Sequence, residues 1–207
     1  KAMKISTKIS ACLLFCVLGF LGNWFKLPLF FDVDFLFGSF FTMLAIMTIG
    51  GAFGVVAGIA AGTCTYILWN HPWAIIIFAA EAVFVAGLYS RRRGNLVVYD
   101  ILYWVCLGMP LIYLFYHQLM GIQLQSTFVI MLKQSLNGLF NAFAASLVLV
   151  LFQFTRGASG IRMPYSQALF VVMFSLVLIP STALMVSGMR EYQEKQTQAL
   201  GARVSAG

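Results

Sequence analysis

The sequence predicts an all-α integral membrane protein with about seven transmembrane helices. Two observations carry that reading. Of the 207 residues, 61% are hydrophobic and only 9% are charged, and the mean hydropathy is +0.92. Apolar runs of roughly 17–25 residues, the length that crosses a bilayer as a helix, recur along nearly the whole chain. So many spans leave no room for a separate soluble catalytic domain. The net charge of +7 does not point to nucleic acid. The basic residues sit in short loops between apolar runs, as cytoplasmic flanks of membrane helices do, so the expected partner is the lipid bilayer.

The elements follow in order. Span one covers about residues 8–24. It follows Lys1, Lys4 and Lys8 as a signal peptide would, but no small-residue cleavage site comes after it, so it is read as a retained helix. An irregular stretch from Lys26 to Asp34 contains Pro28, which disfavours helix at Leu27. Span two runs from about Asp34 to Ile49 and breaks at Gly50-Gly51. Span three covers about 52–69. After the turn Trp69-Asn70-His71-Pro72, span four covers about 73–89, with Pro72 suited to its first turn. The loop Arg91-Arg92-Arg93-Gly94-Asn95 precedes span five, about 97–117, where Pro110 is expected to kink the helix. Span six covers about 127–153. Span seven, about 165–188, is expected to kink at Pro180, and a polar tail follows from Arg190.

Seven spans put the termini on opposite sides. With the N-terminus in the cytoplasm, eight loop cations (Lys1, Lys4, Lys8, Arg91, Arg92, Arg93, Arg156 and Arg162) lie inside. Four (Lys26, Arg190, Lys195 and Arg203) lie outside. The chain is therefore expected to be multi-pass, with the N-terminus cytoplasmic and the C-terminus extracytoplasmic. Span three repeats glycine at Gly50, Gly54, Gly58 and Gly62, beside Ala57 and Ala61. That spacing lets another helix approach closely. Packing within one subunit is preferred over a homodimer face.

Glu81 and Lys133 fall inside apolar runs. A charge there costs at least about 2.5–3.5 kcal/mol, so such residues face a bundle interior, pair, and mark function. Lys133, Asn137 and Asn141 are spaced i, i+4, i+8 and share one helical face. Together with Glu81 they supply a cation, an anion and amide donors and acceptors to a ligand; a Lys133–Glu81 pair that only fixes register is the competing reading. Trp24, Asp34, Asn70, His71 and Trp73 sit in or beside the outer loops, as the mouth of such a site. Asp100 is assigned a structural role at the start of span five, near Arg91–Arg93. The four cysteines lie in apolar runs without a CxxC pair, and His71 and His117 have no ligand partners at suitable spacing. No metal and no cofactor are expected. No nucleophile, zinc or phosphate-loop motif is present, so the chain is not expected to be an enzyme.

Three stretches, Asn23–Ser39, Tyr66–Phe78 with Glu81 after it, and Leu132–Asn141, resemble the N-terminal membrane region of bacterial signalling proteins. These are multi-span sensor modules that precede PAS, diguanylate cyclase or histidine kinase parts. The glycine-rich span three is similar to its counterpart in the five-span sensor domains of LytS-type kinases and in the six-helix S-components of energy-coupling-factor vitamin transporters. The resemblance implies an S-component-like six-helix bundle over residues 1–155. Residues 156–207 would then hold a loop, a seventh, signalling helix and the start of an extracytoplasmic segment. It implies a pocket opening outward under the loop between spans one and two, and a fragment of a longer two-component-type receptor. The expected function is a membrane sensory module that binds a small molecule from the extracytoplasmic side and signals by helix rearrangement. The alternative is the substrate-binding subunit of a vitamin-like transporter, against which span one lacks the AxxxA docking stripe and offers Gly19 and Gly22 instead.

Overall fold

A computed structural model describes residues 3–28, 34–156, 168–174 and 176. Span seven beyond residue 176, its Pro180 and the polar tail lie outside the described residues. The chain is an all-α membrane protein: among the described residues five helices are long and apolar enough to cross a membrane. They are α1 (Ile5–Trp24), α3 (Gly51–Trp69), α4 (Trp73–Arg92), α5 (Leu96–Leu119) and α6 (Leu124–Arg156). The apolar helix α2 (Gly38–Thr48) has 11 residues, about 16 Å, and is too short to cross a bilayer by itself.

The difference from the expected second span is local. Its first residues are not helical: β1 (Leu27–Pro28) pairs antiparallel with β2 (Asp34–Phe35), so the chain enters the bundle as a short hairpin and turns helical only at Gly38. Helix α5 keeps a single course through Pro110 by taking wider, π-helical turns at Trp104–Gly108 and Tyr113–Leu119. The missing proline N–H is absorbed by these register changes. Its start is set by Asn95, whose side chain accepts a hydrogen bond from the Val97 N–H at 3.0 Å. Asn70 closes α3 in the left-handed conformation (φ 55°).

Helix α3 packs against α1, α2 and α4, and α6 packs against α2 and α5. The glycine stripe makes these contacts within the chain. A Cβ at Gly54 would strike Ile46 of α2, and one at Gly58 would lie 2.7 Å from Ala82 of α4. The distribution of polarity suits lipid rather than water. Ile5, Ile9, Leu13, Val17 and Leu21 of α1 and Leu132 and Leu136 of α6 are exposed, while Glu81, Asp100, Asn137 and Asn141 are buried. Small and polar residues inside with large aliphatic ones outside is the pattern of helices associating in a bilayer.

Candidate functional site

The buried face of α4 is Ala74, Ile77, Phe78, Glu81, Ala82 and Val85, three and four residues apart, so Glu81 points into the bundle. Its carboxylate is fully buried. Ser39 of α2 donates its hydroxyl to Oε2 at 2.6 Å, and Trp104 of α5 donates its indole N–H to Oε1 at 3.0 Å. Gly138 of α6 leaves the space these groups occupy: a Cβ there would strike the Trp104 indole and lie 2.7 Å from Glu81 Oε1. Four helices thus meet at one carboxylate. Asp100, one turn before Trp104 on α5, is also fully buried and lies against Glu81. Among the described residues no donor reaches either of its oxygens. A proton on either acid converts this contact into a hydrogen bond, since a carboxylate only accepts.

This arrangement answers one open question in part and corrects one expectation. The sequence left open whether Glu81 meets Lys133; its hydrogen bonds come from Ser39 and Trp104, with Asp100 alongside. Helix α6 turns Gln134, Asn137, Gly138 and Asn141 inward; Lys133, one residue from Gln134, is rotated about 100° from it and is half-buried. Asp100 does not remain at the Arg91–Arg93 loop. Its position on the inner face of α5 carries it into the core.

Asn137 and Asn141 do converge, on backbone. The Leu36 N–H donates to Asn137 Oδ1 at 2.9 Å, and Asn137 Nδ2 donates back to the Leu36 carbonyl at 3.0 Å. Asn141 Nδ2 donates to the same carbonyl at 2.7 Å. Two residues on, Asn23 of α1 accepts from the Gly38 N–H at 2.7 Å and donates to the Ala61 carbonyl of α3 at 2.9 Å. Three asparagine side chains therefore supply the partners that a helix or sheet would otherwise give this irregular stretch.

The anticipated mouth residues are spread over one end of the bundle. Trp24 and Asn70 are exposed, and Trp24 stacks on Phe20 with ring centroids 6.5 Å apart. Asp34 lies in β2, paired with Pro28. His71 and Trp73 enter an aromatic cluster. His71 meets Trp69 at 6.1 Å and Tyr116 edge-on at 5.2 Å, and Trp73 stacks on Phe115 at 4.7 Å. Tyr116 lies beside Gln134. Among the described residues three buried atoms of this cluster, His71 Nδ1, Tyr116 Oη and Gln134 Oε1, make no hydrogen bond of good geometry, although Tyr116 and Gln134 lie close enough to interact. Burial lowers the His71 pKa below its ordinary value.

Sequence reasoning missed Asn23, Ser39, Trp104, Tyr116 and Gln134 as site residues. Gln134 and Asn23 carried a readable signal, being amides inside apolar runs. Ser39, Trp104 and Tyr116 carried none, because hydroxyl and aromatic residues are ordinary in membrane helices. Among the described residues no group of three or more His, Cys, Asp or Glu is placed to hold a metal ion. Comparison of the chain with protein-family models, curated proteins and solved structures gives no match.

Proposed function

We propose that the chain is a membrane-embedded sensory module that binds a small polar or amphipathic molecule at the aromatic end of the bundle and answers by a change of helix packing. The observation that carries this reading is the set of three buried polar atoms at His71, Tyr116 and Gln134 that make no well-formed hydrogen bond among the described residues. A buried polar group left unpaired is costly, and a ligand offering complementary donors and acceptors recovers that cost. Aromatic walls beside a few convergent polar groups are the usual lining of small-molecule sites.

The neighbouring clasp provides a route for the response. Gln134 lies one turn from Asn137 on the inner face of α6, and Asn137 holds Leu36, three residues before the Glu81 partner Ser39. A ligand drawing on Gln134 or Asn137 shifts the entry of α2 against α6, provided it prefers one packing over the other. In this reading the N-terminal lysines face the cytoplasm of a bacterial inner membrane and the aromatic end faces out. Lys133 stands at the rim of the site as the cation for an anionic group on the ligand.

A thermal-shift screen of the detergent-purified chain against metabolites tests the proposal. A ligand raises the unfolding midpoint of the wild type and loses that effect in Gln134→Ala and Lys133→Ala, both of which still unfold cooperatively. A hit that stabilises all three proteins equally defeats the site assignment. The six helices between Ile5 and Arg156 favour a second reading, the substrate-binding subunit of a transporter. Ligand uptake into vesicles, rather than binding alone, selects it.

A further inference from the structure

At the opposite end of the bundle a cavity of about 260 Å³ opens between the start of α1, the α2–α3 turn and the end of α4. Lys8, Thr48, Gly51, Tyr89, Ser90 and Arg93 contribute to its wall, and no acidic residue among the described ones lines it. Residues carrying two cations and three hydroxyl groups therefore line one small, half-open space. The ammonium of Lys8 lies over the Phe53 ring, 5.9 Å from its centroid, which holds it beside the first turn of α3. Gly50 has φ +116°, and a Cβ there would meet nothing within 4 Å, so the turn presents bare backbone to the cavity. The volume falls below the roughly 300 Å³ at which pockets for drug-sized ligands begin. It suits a compact anion instead.

We propose that this cavity receives a phosphate group, carried either by an anionic phospholipid headgroup at the membrane surface or by a free phosphate ester. Lys8 and Arg93 supply the charge, and Ser90 and Tyr89 supply hydroxyl donors around it; the Thr48 hydroxyl donates to the Leu44 carbonyl at 2.6 Å and only lines the wall. The backbone N–H of Gly51 adds to the same field; the half-open recess and the two cations, not that helix end, define the site. The site lies apart from the aromatic end and stands independently of the sensory reading.

The test uses the purified chain in two settings. In nanodiscs of phosphatidylglycerol or phosphatidylcholine, native mass spectrometry counts retained lipid. In neutral detergent, the unfolding midpoint is read with and without glycerol 3-phosphate. The wild type retains phosphatidylglycerol over phosphatidylcholine or is stabilised by glycerol 3-phosphate. Retention of lipid only identifies a headgroup site; stabilisation by the soluble ester identifies a free-anion site. Lys8→Gln and Arg93→Gln each weaken the effect about tenfold, the loss expected for one charge-assisted hydrogen bond. Ser90→Ala, a milder change, weakens it less. Arg91→Gln removes the same charge from the same helix end but does not line the cavity, and keeps wild-type binding. Equal losses in Arg91→Gln and Arg93→Gln would reduce the effect to diffuse surface charge and overturn the proposal. So would indifference to both phosphate probes.

Discussion

Asn137 grips Leu36 from both sides, accepting from its N–H at 2.9 Å and donating to its carbonyl at 3.0 Å. A single side-chain amide thereby does what a neighbouring strand would do. Because Leu36 is 4% exposed, nothing else can satisfy these groups cheaply. Asn137→Ala leaves the Leu36 N–H without a partner and is expected to cost about 1–3 kcal/mol. Asn141→Ala costs less, since Asn137 still serves the shared carbonyl. Denaturant or thermal unfolding of the two variants in one detergent checks the order. A reversed order removes the clasp from its proposed place.

Gly138 and Gly87 make a matched pair for testing the core. A Cβ at Gly138 would strike Trp104 and Glu81, whereas one at Gly87 meets nothing within 4 Å. Gly138→Ala is expected to lose about 1–3 kcal/mol through overpacking. Gly87→Ala leaves stability unchanged or raises it by up to about 1 kcal/mol, because alanine is the better helix former. Unfolding midpoints of the two variants decide this, and equal tolerance would mean that the four-helix junction is not tightly packed.

The two buried acids give a third prediction. Glu81→Ala strands the Ser39 hydroxyl and the Trp104 indole N–H in the core, each at a cost of about 1–3 kcal/mol. Asp100→Asn has the opposite sense. Its amide can donate to Glu81, where neither Asp100 oxygen now meets a donor among the described residues. The Asp100→Asn protein is expected to unfold at or above the wild-type midpoint. If it falls as far as Glu81→Ala, Asp100 makes an essential contact that an amide cannot replace.

The membrane class and the positions of α1, α3, α4, α5 and α6 were legible because apolar length is a coarse property that survives any detail of packing. The start of α2 was not. Whether Asp34–Phe37 is helix or hairpin depends on Asn137 and Asn141, some hundred residues away, and local pattern carries no trace of such a partner. The same limit separated the polar residues. That Glu81, Asn137 and Asn141 point inward followed from the cost of polarity in lipid. What they touch did not follow. Lys133 and Asn137 share a face at i, i+4, but the inner stripe runs through Gln134 and Gly138, and the small rotation between these stripes is set by which residues the neighbouring helices can accept. Gly138 is decisive here, since only a residue without a side chain admits Trp104 and Glu81.

His71 supplies a pH dependence with a definite sign. Burial lowers its pKa from 6.5 in the folded protein, so folding favours the neutral ring. Between the folded value and 6.5 the unfolded chain binds more protons, and stability therefore rises with pH across that window. The contribution is fully present above 6.5, begins to fall as the pH drops below that value, and is lost below the folded pKa. The expected outcome is a wild-type unfolding midpoint that declines from about pH 7 toward about pH 5 more steeply than that of His71→Phe, which keeps an aromatic ring but cannot titrate. Thermal unfolding of both proteins across that range measures the difference between the slopes. Parallel curves would mean that His71 is as well hydrated in the fold as in the unfolded chain, and would remove it from the cluster on which the binding site is built.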